Sequence, residues 1–129
     1  MIVRNDELPV FELPGITHRT VAGHAQKLKS MEVWLQTMAP GSATPVHRHA
    51  CEEVIVVLSG SGRVTIDGRT SSFGPDSTLI VPPDAVHQIE NSGSDPIVLV
   101  AALGSAPVRV RTAGGEPVPV PWAAPDASA

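Results

Sequence analysis

PVHRHACEEVIVVLSGSG, residues Pro45–Gly62, sets two histidines, one cysteine and two adjacent glutamates within His47–Glu53 and then turns into an aliphatic run. Read as one extended strand over 46–58, its side chains alternate between two faces, so His47 and His49 project side by side. If no bulge interrupts that strand, Glu53 shares their face, Glu52 faces outward and Cys51 points inward. Ser-Gly-Ser-Gly at 59–62 then reads as a hairpin turn, with RVTID at 63–67 as the return strand and another turn at Gly68-Arg69.

Upstream, MEVWLQTMAPG begins at Met31 and also alternates, which places Trp34, Gln36 and Met38 on one face of a strand that APGSATP at 39–45 ends. Downstream, STLIVPP, DAVHQIEN and IVLVAAL follow one another at roughly the eight to twelve residues expected of an all-β sandwich or barrel. No stretch offers a long helix. The domain reading is an arm at 1–30, with a turn at Leu13-Pro14-Gly15 and a short strand, then a barrel over 31–112. A proline-rich tail with a disordered end closes the chain at 113–129. Within APVRVRTAGG, Arg109 and Arg111 alternate with Val108 and Val110 and read as the solvent face of a last strand.

The 129 residues suit one domain. Asp and Glu outnumber Lys and Arg by 13 to 9, and the densest cationic spot is Lys27 with Lys29, so nucleic acid and anionic membrane are poor partners. No apolar run reaches the roughly 18 residues of a membrane span. The amino end, MIVRNDELPVFEL, has acidic residues where a signal peptide needs an apolar stretch, which leads us to expect a cytoplasmic protein. Cys51 is the single cysteine, which excludes an intramolecular disulfide and suits a reducing compartment.

A third histidine, His87, follows the Pro82-Pro83 turn in VPPDAVHQIEN, on a strand able to lie opposite the His47/His49 pair. Three imidazoles and the Glu53 carboxylate would fill four positions of a roughly octahedral divalent ion and leave about two open. That is the pattern of a reactive or ligand-binding centre, whereas structural sites are closed.

Gly41, His47, His49, Glu53 and Gly60 fall at the spacing G-x5-H-x-H-x3-E-x6-G, which resembles the first motif of the cupin superfamily; Pro82, His87 and Asn91 resemble the second. Asp84 stands where cupins often carry glycine, so the turn there is expected to differ. A closer resemblance, to the plant auxin-binding protein family, runs over residues 15–62 around TPVHRHACEEV. It continues more weakly over 74–103 and ends at the tryptophan of VPW. It implies a dimeric jelly-roll barrel that holds zinc through His47, His49, Glu53 and His87. It also implies Gln36 as hydrogen-bond partner of an aromatic carboxylate, with Trp34, Pro45 and Trp122 as apolar walls. The chain departs from that family in having no N-x-S/T sequon, one cysteine and no retention tail. Its alanine, valine and proline bias suits a GC-rich bacterial source.

The remaining polar residues have plainer readings. His18 and His24 lack partner spacing and read as turn or surface residues. Glu52 reads as a surface carboxylate or a neighbour of the site, and Cys51 as a small buried side chain beside it. Trp34 and Trp122 read equally well as core aromatics. The leading function is a metal-binding monocupin, taking zinc first and manganese, iron, nickel or copper as alternatives, that binds a small aromatic carboxylate at the metal and forms a homodimer. The alternative is a metal-dependent dioxygenase, decarboxylase or isomerase, for which no catalytic residue is assigned; a third reading is a metal that only stabilises the barrel.

Overall fold

Where apolar residues recur at every second position, the chain is strand. The computed structural model describes residues 1–124, which include strands β1 (Phe11–Leu13), β2 (Ile16–Ala22), β3 (Glu32–Met38), β4 (Glu53–Ser59), β5 (Gly62–Ile66), β6 (Arg69–Phe73), β7 (Ser77–Val81), β8 (His87–Glu90) and β9 (Ile97–Leu103). They form two antiparallel sheets, a large one ordered β1-β2-β3-β9-β4-β7 and a small one ordered β6-β5-β8. This is the all-β, double-sheet arrangement expected. No helix among the described residues is long and apolar enough to cross a membrane.

β9 lies between β3 and β4, and its sequence IVLVAAL is apolar on both faces, as a central strand requires. Ile97, Leu99, Ala101 and Leu103 point into the core, where they meet Met38 of β3, Ile55 and Val57 of β4, and Val64 and Ile89 of the small sheet. Each large aliphatic side chain so buried contributes about 1.5–3 kcal/mol. β3 turns Glu32, Trp34, Gln36 and Met38 inward, the last three as the alternation predicts.

Several expectations are corrected. β4 and β5 are not a hairpin: β4 pairs with β7 and β9, β5 with β6 and β8, so residues 59–62 carry the chain from one sheet to the other. Glycine permits the crossing, because a Cβ on Gly60 (φ +89°) would lie 2.5 Å from the Pro96 carbonyl oxygen and one on Gly62 would run into that of Glu90. The hairpin is β5–β6, over Asp67 and Gly68 with φ of 48° and 80°, the paired left-handed residues that a tight hairpin turn demands. Polar, largely exposed β6 carries no apolar alternation to announce it.

The stretch 46–58 is strand only from Glu53; before it, residues 43–48 make single bridges, Ala43 to Glu90, His47 to His87 and Arg48 to Arg111. Residues 1–30 supply two strands, β1 and β2, that extend the large sheet beside β3. The expected last strand is reduced to the bridges of Arg111. Beyond it the chain folds back, with the Thr112 amide donating to Glu116 O and the Val118 amide to Val110 O. The expected disordered end falls on residues 125–129, outside the described residues.

Leu99→Ala, at the centre of the large sheet, is expected to cost about 2–5 kcal/mol in denaturant unfolding. Thr78→Ala, on the exposed face of β7, should stay within about 0.5 kcal/mol.

Candidate metal centre

His47 and His87 face each other across an antiparallel bridge, each backbone amide donating to the other's carbonyl at 3.1 and 2.8 Å, so their rings emerge together with centroids 4.2 Å apart. His49 lies two residues on, its carbonyl accepting from the Asp84 amide at 2.7 Å. Asp84 has φ +61°. It therefore adopts the left-handed conformation that glycine favours, and the turn before β8 keeps a left-handed residue without a glycine. Glu53, the first residue of β4, reaches the group from the large sheet. One ligand atom from each of His47, His49, Glu53 and His87 lies within 4.8 Å of all the others.

All three imidazoles spend the same nitrogen on the backbone. Nδ1 of His47 donates to Pro45 O at 2.6 Å, that of His49 to Arg109 O at 3.0 Å and that of His87 to Ala85 O at 2.8 Å. Each Nε2 is thereby left toward the centre, the arrangement that orients metal-bound histidines. Nε2 of His49 is buried and has no hydrogen-bond partner among the described residues. Nε2 of His87 meets Glu53 Oε1 at 3.1 Å, and Nε2 of His49 stands 3.7 Å from the same oxygen. Three convergent imidazole nitrogens, one of them orphaned, and one carboxylate suit a borderline divalent cation.

Burial works against charge on each imidazole, but with different outcomes. It pushes His47 down to about 4, helped by the neighbouring His87, and it also dominates the lowering at His49. At His87 burial is outweighed by the Glu53 hydrogen bond, the Ala85 carbonyl and the Glu53 charge, so its pKa lies above the ordinary value. Nε2 of His87 and Oε1 of Glu53 thus face each other, with Nε2 of His49 beside them, at the place where a cation would bind.

A cavity of about 550 Å³, its open mouth included, leads to this group. Trp34, Gln36, Pro45 and Trp122 all line it, together with apolar side chains such as Ile55, Leu99 and Val110. The Trp34 indole N–H donates to Glu32 Oε1 at 2.9 Å, and Glu32 Oε2 accepts the Val108 amide at 3.1 Å. The expectation for His18 is wrong. It is fully buried behind Gln36, with Nδ1 2.9 Å from the Gln36 amide nitrogen and its ring stacked on Trp122 at 3.7 Å. Period two from Ile16 along β2 is the signal that places it inside.

His24 is exposed, as is Glu52. Cys51 is half-buried beside Gly104, outside the ligand group, because the bend at 50–52 ends the alternation before β4 begins. Burial pushes its thiol pKa up. Arg109 is half-buried and donates to Ala124 O, so it is not a solvent-face residue; Arg111 is exposed.

A family profile described as auxin binding protein matches residues 2–119. Auxin-binding protein 1 of Arabidopsis thaliana is 38% identical over 122 residues, covering 84% of this chain and 62% of its own length. Auxin-binding protein T85 of Nicotiana tabacum is 40% identical over 124 residues, covering 84% and 66%. The chain therefore spans less than two thirds of these curated relatives. Among solved structures, oxalate decarboxylase of Bacillus subtilis superposes with a TM-score of 0.76 at 25% identity, over 84% of this chain and 31% of that one. An RmlC-like cupin of Shewanella frigidimarina gives 0.70 at 16% identity, over 81% and 89%. The barrel is a cupin barrel.

Imidazole takes a cation only in its neutral form. Zinc affinity is therefore expected to fall, and proton release to accompany binding, as pH drops below about 6, where free imidazole protonates. Calorimetry in buffers of different ionisation enthalpy measures both; pH-independent affinity would contradict the ligand set.

Proposed function

The chain belongs to the auxin-binding protein family of cupins, and from that premise we propose that it binds a small aromatic carboxylate at a divalent metal held by His47, His49, Glu53 and His87. The observation that carries this reading is the joining of an apolar cavity to a cluster of inward-facing imidazole nitrogens, with Gln36 as a neutral polar group on the wall. Zinc is the ion we assign first, on its donor set and on the family. When bound, it supplies positive charge and open coordination positions for carboxylate oxygens.

The chain's own residues do the rest. Trp34 and Trp122, with ring centroids 5.7 Å apart in an edge-to-face arrangement, offer flat apolar surface to an aromatic ring. Burying that ring contributes roughly 25 cal/mol per Å² of apolar area. Gln36 donates to the carboxylate, and Pro45 closes the wall beside His47. Apart from the four-residue cluster, the polar side chains among the described lining residues are Gln36 and Thr44, discounting the indoles. Neither is an acid–base group, which favours binding over turnover. The single thiol, Cys51, suits a reducing compartment such as the cytoplasm.

Protein purified without chelator is expected to carry about one zinc per chain and to bind indole-3-acetate in calorimetry. Chelation should abolish binding, and Trp34→Ala should weaken it by about ten-fold or more. Zinc-loaded protein that ignores indole-3-acetate would sink the ligand assignment, while iron or manganese with oxygen uptake would move the chain to the oxygenases.

We assign a homodimer as well. The outer face of the large sheet presents Val54, Val56, Leu58 and Ile80, the last 61% exposed, and β7 is the sheet edge beside them. An apolar face of this kind beside an unpaired edge is what a second copy covers. Light scattering should give twice the chain mass, and Ile80→Asp should shift it toward monomer; a clean wild-type monomer at micromolar concentration would remove the assignment.

A further inference from the structure

His18 belongs to no ligand set and no expected pocket wall, yet it is 0% exposed and touches three residues that line the cavity. Its Nδ1 lies 2.9 Å from Gln36 Nε2 and its Nε2 lies 2.7 Å from Thr20 Oγ1. Its ring stacks on Trp122, planes 9° apart, and meets Trp34 edge to face at 5.1 Å. Burial keeps the imidazole neutral, its pKa pushed down to about 3. A neutral imidazole has one donor and one acceptor, and an amide nitrogen can only donate. Nδ1 is therefore the acceptor, Nε2 carries the proton, and that proton goes to the Thr20 hydroxyl.

This tautomer and the orientation of the Gln36 amide go together. With one N–H spent on Nδ1, the amide keeps a second N–H on the same nitrogen. If the amide turned over, its oxygen would face the Nδ1 lone pair and the two would repel. The same turn would bring an oxygen lone pair to the place that offers an N–H, and a carboxylate there would be repelled. We propose that His18 is a positioning residue whose Nδ1 holds the Gln36 amide with its free N–H available to an anionic ligand, so that carboxylates are preferred over their neutral analogues. The inference rests on the carboxylate reading given above.

Two substitutions separate positioning from packing. His18→Phe keeps a flat ring for Trp122 and removes the acceptor. His18→Asn gives up most of the ring but places its amide oxygen near the position of Nδ1. Calorimetry of the zinc-loaded proteins with indole-3-acetate and the neutral indole-3-acetamide reads the preference, with zinc content as the control for folding. H18F is expected to lose about ten-fold or more of the carboxylate preference, and H18N to retain most of it. The reverse order, with H18F like wild type and H18N impaired, would show a packing role and overturn the proposal.

Nitrogen-15 spectra of the ligand-free protein decide the matter independently of any ligand. His18 is expected as the Nε2–H tautomer with a coupling across the hydrogen bond to the Gln36 amide. An Nδ1-protonated ring overturns the proposal even if indole-3-acetate binds. Failure of wild-type protein to bind indole-3-acetate, with the expected tautomer and coupling in place, fells the ligand assignment and leaves the positioning of Gln36 supported.

Discussion

Three backbone carbonyls, those of Pro45, Ala85 and Arg109, take the Nδ1 protons of three histidines, and the character of the site depends on that alignment. The carbonyls come from three separate parts of the chain: the bridging segment before β4, the turn before β8 and the segment after β9. A histidine ring left to itself would choose either tautomer. Here the closed barrel chooses for it, and all three Nε2 atoms converge. The arrangement of nitrogen donors is thus a property of the folded backbone, set before any cation arrives.

The carboxylates show how the same barrel tolerates buried charge. Glu32 and Glu53 both sit on inward faces near strand starts, where an unpartnered carboxylate would cost several kcal/mol. Glu32 is answered by two N–H donors, the indole of Trp34 and the amide of Val108, and it ties the aromatic wall to the segment whose next residue, Arg109, holds His49. Among the described residues Glu53 is answered by a hydrogen bond from His87 alone, with His49 close by. One carboxylate is sealed into structure, while the other lines the cavity and faces the imidazoles. The difference between them is the difference between scaffold and site.

Much of this was legible in the residues. The pairing of His47 with His49, the phase of Glu53 and the shared face of Trp34 and Gln36 follow from period two, His87 from its own strand after the Pro82-Pro83 turn, and Trp122 from the family resemblance alone. What failed was continuity. Bends at Ala50 and Cys51 interrupt the alternation, so Cys51 does not reach the site to which unbroken period two assigns it. A Gly-rich tetrad flanked by strands looks like a hairpin, yet Gly60 and Gly62 are there because other backbone passes within a methyl's width, a long-range reason that local pattern cannot display. Period two along β2 turns His18 inward, but no local pattern names its partners Gln36 and Trp122, which come from elsewhere in the chain.

The place of β9 has a consequence for how the molecule is made. Its two neighbours in the large sheet, β3 and β4, are both finished long before residues 97–103 leave the ribosome, and neither pairs with the other. Until then β1-β2-β3 and β4-β7 are separate fragments with raw edges, and the contacts that will join them are distant in sequence. Closure therefore waits for a late strand that is apolar on both faces and prone to pair with whatever edge it meets first. The element that gives the finished barrel its centre is thus the last of the described strands to be made.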